Sequence, residues 1–193
     1  MLIAFGGLPG TGKTTVAQRL ARKLAAVYLR IDTFEKAIKV CNGGGADIEA
    51  AGYVAAYAVA GDNLRLGSTV VADSVNSLQI TRNAWRNVAF DASVQIFEIE
   101  LVCSDAAMHR QRVERRKADS PNLQLPTWQS VLERQYDPWE CPHIVVDTAK
   151  FSVEQAIEGI MQQLPAYPAR ETSRLAQRTP NEQVNERSAD LHS

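Results

Sequence analysis

Apolar and polar positions recur along this chain at two different periods, and the switch from one to the other marks its elements. Leu2–Phe5 is a short, continuous apolar run ending in glycines, the pattern of a central parallel strand buried on both faces. Val16, Leu20 and Leu24 then fall at i, i+4 and i+8, which predicts an amphipathic helix. Ala26–Ile31 reads as a second strand ending on Asp32-Thr33, and Phe34–Val40 as a helix broken by Asn42-Gly-Gly-Gly45. The alanine-rich stretch from Asp47 to Leu66 predicts a longer helix, and with the glycine run it is expected to form a substrate-facing flap. Ser68–Ala72 is another buried strand ending on Asp73-Ser74, followed by a helix over Thr81–Ala89 with Thr81 as its N-cap.

In the second half, Ser93–Cys103 is the clearest strand, and Ser104-Asp105 caps a helix that carries His109, Arg110, Arg112, Arg115, Arg116 and Lys117. Pro126-Thr-Trp-Gln129 starts a helix that Tyr136-Asp-Pro-Trp139 ends. His143–Val146 is the last strand, and Ser152–Leu164 packs back as the last helix. Five apolar strands alternating with helices predict an α/β fold of three layers, a doubly wound five-stranded parallel sheet with a helical lid. One domain is expected over residues 1–164, with a polar, disordered tail over 165–193.

Composition narrows the class. The 193 residues are 45% hydrophobic and 22% charged with a net charge of −1, which argues against a surface built for nucleic acid or anionic membrane. Cys41, Cys103 and Cys141 are odd in number and far apart, so neither a disulfide framework nor a zinc site is expected. No basic leader precedes the first strand and no apolar run is long enough to span a bilayer, so the cytoplasm is the expected compartment.

The candidate chemistry lies between the first strand and the first helix. Gly7-Leu-Pro-Gly-Thr-Gly-Lys-Thr14 fits G-x-x-x-x-G-K-[ST] with the required strand before and helix after. A nucleoside triphosphate is best wrapped by backbone N–H groups, and glycines at 7, 10 and 12 permit the close approach that a Cβ would forbid. Those amides, with Thr11 and Thr15 among them, stand at a helix N-terminus that favours an anion. Lys13 can reach the terminal phosphates, and the Thr14 hydroxyl can enter the shell of Mg²⁺.

In a doubly wound sheet the C-terminal strand ends converge on one rim, which brings Asp32, Asp73 and the basic helix to the same crevice. Asp32 is the first choice for a general base or hydroxyl-orienting group, with helix capping as its plainer alternative. Asp73, after Val-Val-Ala, looks like a carboxylate that holds Mg²⁺ through water, with capping or substrate binding as alternatives. Arg112 and Arg116, four apart on one helix face, can steady a transferring phosphoryl group, though a charge run is usually a solvated face. Arg82 is a further candidate for a substrate anion.

The chain resembles the small P-loop kinases of the nucleoside-monophosphate-kinase-like group, in particular those related to gluconate, adenylylsulfate and chloramphenicol kinases and to zeta toxins. The likeness covers about residues 1–164 and rests on Gly7–Thr14, Leu29-Arg-Ile-Asp32, Val70-Val-Ala-Asp73 with Arg82 and Trp85, the arginine-rich helix, and Asp137-Pro-Trp139. The resemblance implies that Asp32 meets the acceptor hydroxyl, that Arg112 and Arg116 belong to a lid, and that Thr148–Lys150 border the adenine. It implies ATP and Mg²⁺ as cofactors and a hydroxyl-bearing small molecule as acceptor, in a monomer or homodimer. Asp73-Ser-Val-Asn76 is also similar to tRNA-directed kinases of the superfamily, but no basic RNA-binding domain follows. Two other functions stay open: a nucleotide-dependent regulator or adaptor, and an RNA-directed kinase.

Overall fold

The computed structural model describes residues 1–41, 50–115 and 125–165. Among them, five strands form one parallel sheet: β1 (Leu2–Gly6), β2 (Val27–Arg30), β3 (Val70–Asp73), β4 (Ile96–Val102) and β5 (Ile144–Asp147), in the order β2-β3-β1-β4-β5. Seven helices connect or flank the strands: α1 (Lys13–Lys23), α2 (Ile31–Cys41), α3 (Ala51–Arg65), α4 (Gln79–Asp91), α5 (Ala106–Arg115), α6 (Trp128–Leu132) and α7 (Val153–Gln163). The chain order reverses at β1, with β3 on one side and β4 on the other, so the loop after β1 emerges at the switch point where open α/β sheets bind ligands.

β1 reads as a continuous apolar run because both of its faces are covered. Successive side chains point to opposite faces. Ile3 and Phe5 therefore join Val16, Leu20 and Leu24 of α1 and Ile157 and Ile160 of α7 in one core. Leu2 and Ala4 join Ala56, Ala60 and Leu64 of α3 and Trp85 and Ala89 of α4 in the other. Each large side chain so buried contributes about 1.5–3 kcal/mol. Together the two cores fix β1, and hence the loop that follows it, from both sides.

Three expected boundaries shift, each for a physical reason. α2 starts at Ile31, directly on the end of β2, so Asp32 stands in the first helical turn and not at a strand end. A carboxylate there complements the helix dipole. α4 starts at Gln79, and Thr81 is not its cap: the Thr81 hydroxyl turns back to Leu78 O at 2.8 Å, while Asp137 Oδ2 accepts from Gln79 N at 2.8 Å. The cap thus comes from a distant loop. α6 closes at Leu132, four residues before Tyr136, with Thr127 as its N-cap. The expectations for Asn42–Gly45, for the start of the third helix at Asp47, and for the tail beyond Pro165 lie outside the described residues.

Candidate nucleotide and acceptor site

The loop between β1 and α1 is held in shape from below. Gly7 has φ +129°, and a Cβ on it would come within 2.2 Å of Leu101 O on β4, so only glycine lets the chain pass there. The Gly7 N–H donates to Val75 O at 2.9 Å, which ties the loop to the segment after β3. Thr11 is buried, its hydroxyl donating to Leu8 O at 2.9 Å and its carbonyl accepting from Thr148 Oγ1 at 2.9 Å. From the other side α5 packs against the loop: His109 Nε2 lies 2.8 Å from Pro9 O, and a Cβ on Gly10 would come within 2.5 Å of Val113. Gly12, at φ 90°, is the N-cap of α1 and turns the chain into the helix.

Above this loop lies a crevice of about 1120 Å³. Gly10, Gly12, Lys13, Thr14 and Thr15 line it, and the first-turn amides of α1 have no acceptor within the helix. Lys13 is only 7% exposed, its Nζ donating to Leu8 O at 2.8 Å. Asp32, Asp73 and Arg112 line the same crevice, so the end of β3 and the helices α2 and α5 bring them to one place. Asp73 is buried and accepts from Tyr28 Oη at 2.6 Å. Burial, and next the charge of Asp73, pushes the Tyr28 phenol well above its ordinary range, so it remains a donor to that carboxylate. Asp32 accepts from Arg30 Nη2 at 2.9 Å.

Arg112 does not stand free over the crevice. Its guanidinium donates to Thr148 Oγ1 at 2.8 Å and to Thr148 O at 3.1 Å, tying α5 to the loop after β5. That loop is braced by Asp147, which accepts from Ser104 N at 3.0 Å and Ala149 N at 3.1 Å. The hydrogen bonds from Ser104, above all, lower the Asp147 carboxyl to about 2. Arg116 lies outside the described residues.

Arg82 is placed differently from the expectation. It is 1% exposed and lines neither this crevice nor the neighbouring cavity. Its guanidinium donates to Asn76 O, Ser77 O, Asp137 O and Pro138 O at 2.8–3.4 Å and lies 4.7 Å from the centre of a Trp139 ring. All of its polar reach goes to the chain itself, because the loop after β3 and the Asp137–Trp139 strap both turn carbonyls toward it.

Beside the crevice is a second cavity, of about 800 Å³, between α2, α3 and α4. Asp32, Glu35, Lys39, Val75 and Arg134 border both spaces. Glu35, Lys39 and Arg134 were not singled out in the sequence. Asp32, Glu35, Lys36 and Lys39 recur at i, i+3, i+4 and i+7, which marks one face of α2. Arg134 gives no comparable signal, since it reaches the site only because α6 ends early.

The Asp73 carboxylate and the Thr14 hydroxyl, beside a phosphate cradle, are hard oxygen donors of the kind that suits Mg²⁺. Among the described residues no cluster of three or more His, Cys, Asp or Glu could hold a metal alone, and no helix is long and apolar enough to cross a membrane.

A family model described as an AAA domain (AAA_33) matches residues 2–138, most of the chain and the whole of the cradle. The chain belongs to this AAA-domain family. Its fold is that of the nucleoside-monophosphate-kinase-like P-loop proteins. The Mycobacterium tuberculosis APS kinase CysC, solved in complex with AMPPNP and APS, superposes with a TM-score of 0.64 at 20% identity, covering 83% of this chain and 95% of that one. Chaetomium thermophilum Kti12, solved in complex with ADP-AlF3, superposes with a TM-score of 0.63 at 18% identity, covering 86% and 100%. At these identities the likeness is one of fold. A Pyrococcus furiosus protein provisionally named an adenylate kinase is 45% identical over 51 residues, 25% of this chain. That match spans only 28% of the relative's length. The AAA-domain member described here is therefore a nucleotide-binding P-loop protein of kinase-like fold.

Proposed function

We propose that this protein transfers the γ-phosphoryl group of Mg·ATP to a hydroxyl of a small-molecule acceptor, in the cytoplasm and as a monomer or homodimer. One observation carries the reading: Asp32 borders both the phosphate-cradle crevice and the adjoining cavity, at the place where a donor and an acceptor would meet. In this assignment the amides of Gly10–Thr15 and the Lys13 ammonium hold the β- and γ-phosphates. Thr14 and Asp73 would hold Mg²⁺, which supplies neutralisation of phosphate charge when bound. Tyr28 fixes the Asp73 carboxylate through its 2.6 Å hydrogen bond.

Asp32 accepts a hydrogen bond from the acceptor hydroxyl and orients it in line with the γ-phosphorus. As the new O–P bond forms, the bond to the bridging oxygen breaks, ADP leaves and the hydroxyl proton passes to Asp32. Arg112 holds the nucleotide-bordering loop through Thr148, and Arg116 follows it as a lid arginine. Arg82 has no part in the reaction. The net charge of −1 favours a small acceptor over nucleic acid.

The expected result with γ-labelled ATP and a panel of alcohols is label transfer that Asp32→Asn lowers about 10²-fold in kcat, with AMPPNP affinity changed less than about three-fold. A second reading, a nucleotide-dependent regulator, draws on the likeness to Kti12, whose whole chain is covered. It predicts no label transfer to any alcohol, and nucleotide hydrolysis indifferent to Asp32→Asn.

A further inference from the structure

The second cavity differs in chemistry from the crevice it joins. Its walls, from α3, α4 and the turn before α4, are Tyr53, Val54, Tyr57, Leu78, Ile80 and Ala84. The Tyr57 ring is fixed: it meets Trp85 edge-on with centroids 4.5 Å apart, and its hydroxyl donates to Thr81 O at 3.2 Å. Tyr53 stands 5.9 Å from it. Burial pushes both phenols up, so two neutral aromatic side chains form a rigid surface. Val54 and Ile80 are 62% and 74% exposed, leaving aliphatic side chains in water at the mouth of the cavity. A cavity of this size, with apolar walls and a few polar groups at one end, is built for a ligand with an apolar body.

The polar end bears on the sign of that ligand. Asp32, Glu35 and Lys39 of α2 line it together with Arg134, two carboxylates and two cations. Arg30, which pairs with Asp32, lines the crevice and not this cavity, and Arg82 is spent on backbone carbonyls inside the fold. Among the described lining residues a phosphate dianion meets as many carboxylates as cations, and close like charges offset what the cations return. A neutral hydroxyl, by contrast, can donate to a carboxylate at no such cost. A small polyol satisfies the polar end but leaves the aromatic wall in contact with water, forfeiting roughly 25 cal/mol for each Å² of apolar surface left uncovered.

We propose that this cavity is the acceptor subsite and takes a phosphate-free alcohol with an apolar, ring-sized body, its hydroxyl turned toward Asp32. The assignment rests on the phosphotransferase reading above and names its substrate class. The test is calorimetric titration of the full chain, held at saturating Mg·AMPPNP so that the cradle is filled, with 1-phenylethane-1,2-diol, glycerol and AMP as probes. The aryl diol is expected to bind at least ten-fold more tightly than glycerol or AMP. Val54→Asp, at an exposed position, is expected to weaken the diol at least five-fold, with AMPPNP affinity as the control for folding because Val54 does not line the cradle crevice. AMP or glycerol binding as tightly as the diol, or a diol affinity that Val54→Asp leaves unchanged, overturns the assignment. Failure of the wild-type chain to bind Mg·AMPPNP strikes the phosphotransferase reading itself and takes the acceptor assignment with it.

Discussion

Lys13→Ala is expected to lower phosphoryl transfer about 10³-fold while the protein keeps its fold. The catalytic loss follows from position: Lys13 opens α1, lines the crevice and is 7% exposed, so its charge acts on phosphate oxygens with little screening by water. Removing one preorganised donor of developing charge in such a setting costs about 10²–10³-fold, and a full cation stands at the upper end of that range. The fold survives because the Lys13 Nζ bond to Leu8 O is not the only one that oxygen receives. Thr11 Oγ1 donates to it at 2.9 Å and Thr11 N at 3.4 Å, so Leu8 O keeps its donors. Equilibrium unfolding in urea should move by about 1 kcal/mol or less, and AMPPNP titration should show the affinity loss directly. Turnover within ten-fold of wild type would remove Lys13 from the machinery.

That result would test the feature the sequence displays most openly. The cradle is legible because its chemistry is local: glycines, lysine and threonine within eight residues, next to one strand and one helix. The sheet is legible for a related reason, since strands covered on both faces must be largely apolar, and β1 and the Val70–Ala72 run of β3 carry that mark. What the sequence conceals is supplied from far along the chain. The N-terminus of α4 takes its cap from Asp137, 58 residues away, where Thr81 offered a local candidate. Arg134 reaches the acceptor cavity through the early end of α6, and Tyr28 meets Asp73 through strand pairing. Polar partners chosen by tertiary structure leave no periodicity, so Arg82 is indistinguishable in sequence from an arginine that meets a substrate.

Arg82→Ala is expected to destabilise the protein by about 3–5 kcal/mol, the combined cost of several lost buried hydrogen bonds and the cavity the side chain leaves. The side chain is 1% exposed and acts as a five-donor fork between two segments that Asp137 also joins, through Gln79 N and Ser77 O. On one side it holds Asn76 O and Ser77 O, directly after β3; on the other it holds Asp137 O and Pro138 O and lies against Trp139. Trp139 in turn packs on Gly6, so closely that a Cβ there would come within 2.6 Å of it, and its indole N–H donates to Tyr136 Oη at 3.1 Å. Truncation takes the donor from Asn76 O, Asp137 O and Pro138 O, while Ser77 O keeps the Asp137 N–H, and it opens a void next to the strand that carries the cradle. Arg82→Lys should recover less than half of the loss, because an ammonium keeps the charge but cannot span four carbonyls as a planar fork does. For a domain of this size the alanine variant should melt roughly 10 °C lower, read by thermal unfolding with and without AMPPNP. A substrate-binding arginine would behave otherwise: KM for the acceptor would rise while the melting temperature stayed within about 2 °C of wild type. That pattern would return Arg82 to the active site and would require the strap over Gly6 to be held by some other group.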